Sequence, residues 1–190
     1  MNSFQENIVK WALLGLEDEL DEKDLSKATS FRTISLNDKR CLAGLISKRK
    51  DTDDGMDWYT FGSMNRVAKF KYAIESNDSD LAEAVDSIPI KGEVKKSDYN
   101  KYKRLFIKST KMKKPLAAAT RLLALKRPDI FVCIDGKNKK RLCEKYGITE
   151  QSLTLDTYWD FIKRIHESLW FKEESTSVYK KFQVALLDCI

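Results

Sequence analysis

A chain of 190 residues, 42% hydrophobic and 34% charged, has the length of one domain and enough apolar content for a core. Both charge signs are present, which excludes wholesale disorder, and three prolines with seven glycines supply too little turn chemistry for a β-sandwich or barrel. The net charge of +6 is unevenly spread: residues 91–146 hold 18 Lys and Arg against 5 Asp and Glu, a local +13 that leaves −7 for the rest.

Taken in order, residues 4–20 are predicted as an amphipathic helix with Ile8, Trp11 and Leu14 on its buried stripe. The start, MNSFQENIVKWALLGLEDEL, lacks the cationic region and cleavage site of a signal peptide. The acidic run Glu17 to Asp24 reads as a solvated turn. Ser35 or Asn37 caps a second helix with Leu36, Cys41, Leu42, Leu45 and Ile46 inward. Residues 48–57 form a polar loop. A third helix is predicted from Trp58 to Ser76, and a short one from Leu81 to Ser87 after an Asn-Asp-Ser-Asp cap. Ser97 is read as the cap of a helix containing Tyr99, Tyr102, Leu105, Phe106 and Ile107.

The stretch from Pro115 to Gly147 organises the rest. Between Leu116 and Leu125 only Thr120 and Arg121 are polar, so this helix reads as buried on most sides. Pro115 suits a first helical position, and Pro128 ends the helix because the residue before a proline avoids the α region. An apolar connection, Ile130 to Ile134, reaches Asp135-Gly136. It could be a strand, but one strand alone has no partner. A basic helix from Lys137 to Tyr146 follows, with Gly147 as its left-handed cap. Thr149 to Ser152 reads as a turn of helix, Asp156 as the cap of a helix carrying Tyr158 to Trp170, and Ser177 as the start of the last helix. The expected architecture is all-α: a single domain, 1–190, of about eight to ten helices around the central helix 115–126. Within it residues 1–50 form an N-terminal subdomain or arm, and 58–190 the main body.

Asp135 admits two readings. It is a carboxylate placed among Lys137, Asn138, Lys139 and Lys140, able to stabilise a developing cation or to position water. Alternatively it is an N-cap that accepts the amide hydrogens of the following helix. The basic stretch also admits two. Several Lys and Arg on one face bind phosphates, with Tyr99, Tyr102, Phe106 and Tyr146 stacking on bases. The same face could instead meet an acidic protein, or simply be solvated, with the rings in the core.

Other chemistries find little footing. His166, the single histidine, reads as a structural or surface residue. With one His and scattered cysteines, no zinc site is expected. Phosphate-loop, dinucleotide and nucleophile-elbow signatures are absent, and Pro128-Asp129 opens no PD…(D/E)-x-K nuclease pattern. No run reaches the roughly 18 apolar residues of a membrane span. Cys41, Cys133, Cys143 and Cys189 form no C-x-x-C pair, which points to free thiols in a reducing, cytoplasmic setting.

The runs ATRLLALKRPDIFVCIDGKNKKRLCEKYGI, DTYWDFIKRIHESLWF and VALLDCI together resemble a poorly characterised bacterial helical domain of restriction-like and phage-defence gene clusters. The resemblance covers residues 58–190. More distantly, the buried Ala-rich helix, the proline-containing turn, Asp135 and the helix ended by Gly147 resemble helix-hairpin-helix DNA glycosylases. Lys111-Met-Lys-Lys-Pro115 stands where that family carries a Gly-rich turn, and its catalytic lysine has no counterpart. Together with the charge segregation, on which the DNA-binding expectation rests, the defence-domain resemblance implies a DNA-associated accessory component of an anti-phage or restriction-type system. Its expected backbone-binding residues are Lys113, Lys114, Arg127, Lys137, Asn138, Lys139, Lys140 and Arg141. Two alternatives stand beside it: a protein-interaction subunit for an acidic partner such as an ATPase, encoded in the same operon, and a glycosylase-like enzyme acting through Asp135. None of these requires a cofactor, a metal or a membrane.

Overall fold

The computed structural model describes residues 30–47, 58–59, 62–90, 92–127 and 129–168. Among the described residues there are seven α-helices and no strand, an all-α architecture whose count there is below the eight to ten expected. They are α1 (Leu36–Leu42), α2 (Ala68–Glu75), α3 (Ser79–Asp86), α4 (Lys96–Thr110), α5 (Leu116–Lys126), α6 (Lys139–Lys145) and α7 (Tyr158–Glu167). The helices predicted at 4–20 and from Ser177 lie outside the described residues. The chain divides into two compact units, Met1–Met112 and Lys113–Ile190.

In the first unit, α1 begins where expected. Ser35 is the cap, its hydroxyl accepting the Asp38 amide at 3.1 Å. Gly44 ends α1 with φ 68°, a left-handed conformation suited to glycine. Arg40 of α1 grips Glu75 of α2 through two Nε contacts of 3.0 Å and a closer Nη2 contact. That hydrogen-bonded partner holds the Glu75 carboxyl below its ordinary range. Lys39, 2% exposed, donates to Asn77 Oδ1 and to the Arg32 carbonyl (3.3 Å), and lies 5.4 Å over the Phe31 ring. Its ammonium is therefore buried with acceptors supplied, and burial still pushes its pKa down.

The predicted helix from Trp58 to Ser76 is shorter than its periodicity suggested. Gly62 takes φ 83°, and the Trp58 and Met64 amides donate to the Ser47 and Gly44 carbonyls, at 2.8 and 2.9 Å. These contacts bind the segment to the end of α1, so helix starts only at Ala68. Asp78 caps α3 by accepting the Leu81 amide at 2.9 Å. Ser97 is not the cap of α4. The N-cap is Lys95, whose amide donates to Asp98 Oδ2 at 2.9 Å, so Ser97 sits inside the first turn. Helix α3 packs on α4, and α2 touches both α1 and α4. Phe70, Ile74, Leu81, Tyr99, Tyr102 and Phe106 fill this core, with Phe106 5.9 Å from Phe70 and 5.6 Å from Tyr102, ring centre to ring centre.

In the second unit α5 runs where predicted and is buried without interruption from Ala118 to Leu125. Pro115 is its N-cap rather than its first helical residue. Arg127, the residue before Pro128, leaves the α region at φ −137°, ψ 73°, and the helix stops there. Arg121 is 0% exposed, and burial depresses its guanidinium pKa to about 10, which still leaves it charged at neutral pH. Helix α7 presents Tyr158, Phe161, Ile162 and Ile165 inward at helical spacing. Its N-cap is Thr157 and not Asp156; the Thr157 hydroxyl makes no capping bond and is drawn into the preceding turn, accepting the Thr154 amide at 3.0 Å and donating to the Ser152 carbonyl at 2.5 Å. The helix ends at Glu167, and Trp170, expected on it, lies outside the described residues.

Candidate nucleic-acid interface

The segment between α5 and α6 positions the basic residues of the second unit. Residues 131–134 are apolar and all buried, and they form neither helix nor strand. A buried backbone needs hydrogen-bond partners, and here side chains supply many of them. The Thr120 hydroxyl of α5 accepts the Ile134 amide at 2.9 Å. The Tyr158 hydroxyl of α7 accepts the Val132 amide at 3.0 Å and donates to the Val132 carbonyl at 2.6 Å. His166 Nε2 donates to the Ile130 carbonyl at 3.0 Å, which sets its tautomer. Burial lowers the His166 pKa. Phe131 completes the joint, 6.2 Å from the Tyr158 ring and 6.4 Å from Trp159.

Asp135 and Asn138 close the next turn on each other. Asp135 Oδ1 accepts the Lys137 amide at 2.7 Å and the Asn138 amide at 2.9 Å. Asn138 Oδ1 accepts the Asp135 amide at 2.9 Å, and its Nδ2 donates to the Cys133 carbonyl at 2.7 Å. The half-buried carboxylate thus occupies the start of the α6 region as an N-terminal cap does. Helix proper begins at Lys139, two residues later than predicted, because 136–138 are spent on this turn. Gly147 closes the far end at φ 62°, with the Ile148 amide donating to the Cys143 carbonyl at 3.0 Å.

The eight expected backbone-binding residues separate into two groups. Lys113, Lys114, Lys137, Lys140 and Arg141 are exposed, and Lys139 is half-buried. Lys140 faces Glu144 at a loose 3.9 Å, a pairing that water weakens. Arg127 and Asn138 are buried, 6% and 7% exposed. The Arg127 guanidinium is held by Asp129 through a two-point contact, Nε to Oδ1 at 2.9 Å and Nη2 to Oδ2 at 2.7 Å. Asn138 serves the Asp135 turn. Lys145, beyond the expected set, is exposed one turn past Arg141; the i, i+4 spacing was the signal for it.

Tyr99, Tyr102 and Phe106, in the first unit, are at most 1% exposed and belong to its core, the second of the two readings the sequence offered for them; Tyr146, half-buried in the second unit, meets Phe161 with the two rings perpendicular, 5.5 Å between centres. Two lysines of α4 in the first unit are neutralised internally, Lys101 by Glu83 at 3.0 Å and Lys108 by Asp80 at 2.9 Å. Among the described residues no cluster of three or more His, Cys, Asp and Glu could hold a metal, and no helix is long and apolar enough to cross a membrane. Cys41, Cys133 and Cys143 are buried. No protein-family model, curated protein or solved structure matches this chain.

Proposed function

We propose that the chain is a DNA-associated accessory component of a bacterial anti-phage or restriction-type system, binding the nucleic-acid backbone through the exposed cations of its second unit. The observation that carries this reading is the exposure of Lys137, Lys140 and Arg141 around a turn whose own carboxylate, Asp135, is tied to backbone amides. Lysines and arginines on a helix surface contact phosphates without reading bases, so the affinity is sequence-tolerant and falls with salt. The test is fluorescence anisotropy with labelled DNA at about 50 and 200 mM salt, where a few phosphate contacts predict a clear loss. No binding at low salt, or binding indifferent to salt, refutes the reading.

Tyr72 favours a second reading, a protein-interaction subunit that meets an acidic partner. This ring is 74% exposed on α2, with exposed Lys69 and Lys71 close to it in the chain. Aromatic and cationic side chains together suit a protein interface. Tyr72→Ala should then abolish co-purification with a protein of the same operon and leave DNA affinity intact.

A further inference from the structure

Resting on the protein-interaction reading of Tyr72, we infer that the outer side of α2 and α4 docks an acidic segment of a partner protein, one that also carries apolar side chains. Tyr72 (74% exposed) and Ile107 (39%) are the large hydrophobic residues left exposed among the described residues, one on each of these helices. The helices pack on each other, with Phe70 and Phe106 meeting in the core beneath. Lys69 shares a face of α2 with Tyr72, three residues on, and Lys111 follows Ile107 by four residues on the side of α4. The Lys69 ammonium donates to the Lys111 carbonyl at 2.7 Å, and this bond joins the two faces. Lys111 closes α4 there in the left-handed region, at φ 50°.

Charge decides what such a surface takes. Each acidic side chain of α2, α3 and α4 is engaged within the unit. Glu75 holds Arg40, Asp80 holds Lys108 and Glu83 holds Lys101. Asp86 accepts the Phe31 amide, and Asp98 accepts the Lys95 amide. Lys69, Arg104 and Lys111 are exposed around the two apolar side chains and pair with no carboxylate among the described residues. Apolar anchors ringed by cations complement a leucine or phenylalanine ringed by carboxylates. A second copy would bring these cations against themselves across a two-fold interface. Nucleic-acid phosphates would satisfy the cations and give Ile107 no apolar partner.

The experiment uses the full chain and a set of labelled peptides about fifteen residues long, with Leu or Phe at i, i+3 and i+4 spacing among Glu and Asp. Control peptides carry Ser in place of the apolar residues, or Gln in place of the acidic ones. The expected result is binding of an acidic apolar peptide, with either control at least about tenfold weaker. Tyr72→Ala, Ile107→Ala and Arg104→Glu should each weaken that binding about tenfold, with an unchanged helical circular dichroism spectrum. A control that binds as tightly overturns the inference, as does peptide binding that none of the three variants alters. Duplex DNA binding lost in Tyr72→Ala, or a dimer that Tyr72→Ala splits in sedimentation, assigns the face to another occupant and overturns it too. No peptide binding also overturns it. If Tyr72→Ala then still abolishes co-purification with a protein of the same operon, the interaction reading stands with a partner of other chemistry. If it does not, that reading falls as well.

Discussion

Tyr158 and Val132 exchange two hydrogen bonds, the tyrosine hydroxyl accepting the valine amide at 3.0 Å and donating to its carbonyl at 2.6 Å. One side chain of α7 thus does for a residue outside any sheet what a neighbouring strand does within one. Tyr158→Phe keeps the ring against Phe131 and deletes only the hydroxyl, which leaves two buried backbone groups without it. The expected cost is about 2–4 kcal/mol, read as a lower urea midpoint together with faster hydrogen exchange at the Val132 amide. An unchanged exchange rate would show that the contact does not hold the segment.

Asp135 distinguishes a cap from a catalytic group by the behaviour of two substitutions. Asparagine retains an oxygen that can accept the Lys137 and Asn138 amides, whereas alanine does not. Asp135→Asn should cost well under about 1 kcal/mol and Asp135→Ala about 1–2 kcal/mol, both read by chemical denaturation. If Asp135 serves chemistry, Asp135→Asn would abolish turnover on a DNA substrate while leaving binding and stability near normal. Loss of stability alone with Ala assigns the residue to the turn.

Stability should fall in two separate pH windows. Burial lowers the His166 pKa below its ordinary 6.5, so the unfolded chain takes up that proton first as the pH drops. Its contribution is complete above about pH 6.5 and is lost as the pH falls through the lower folded value. His166→Gln should remove this first decline in a denaturation series from pH 7.5 to 5. Glu75, hydrogen-bonded to Arg40, has a folded pKa below its ordinary 4.5. Its contribution is complete above about pH 4.5 and declines below it. Glu75→Gln should flatten only that lower window.

Gly147 sits at φ 62° with open space where a side chain would start. An alanine there meets no atom, so its cost is conformational alone, about 1 kcal/mol for a left-handed residue. Gly147→Asn should cost less, because asparagine tolerates this region best among the other residues. Thermal melts of the two variants check the order.

The central helix was legible because its evidence is local: eight apolar side chains between Leu116 and Leu125, with a proline at either side. Gly147 and Ser35 were legible for the same reason, each acting within a few residues of itself. Arg127 and Asn138 were not. Their side chains suit phosphate binding, and only the folded 127–138 segment shows Arg127 returned to Asp129 and Asn138 to Cys133 and Asp135. Thr120 stood out as a polar break in an apolar helix, but its partner, the Ile134 amide, lies fourteen residues on and depends on the chain folding back. The Trp58–Ser76 periodicity misled because Trp58, Tyr59 and Met64 are apolar at helical spacing yet serve the end of α1. The Trp58 and Met64 amides bond there, and the Tyr59 hydroxyl donates to the Leu45 carbonyl at 3.2 Å.

The run from Phe131 to Ile134 has the composition that makes an exposed strand dangerous: β-prone, uncharged and free of proline. Here threonine, tyrosine and asparagine side chains occupy the amides and carbonyls with which another copy would have to pair. The same bonds that knit α5 to α7 therefore also act as a guard against cross-β association. Variants that loosen Tyr158 or Thr120 should accordingly be recognised first by clumping in the test tube.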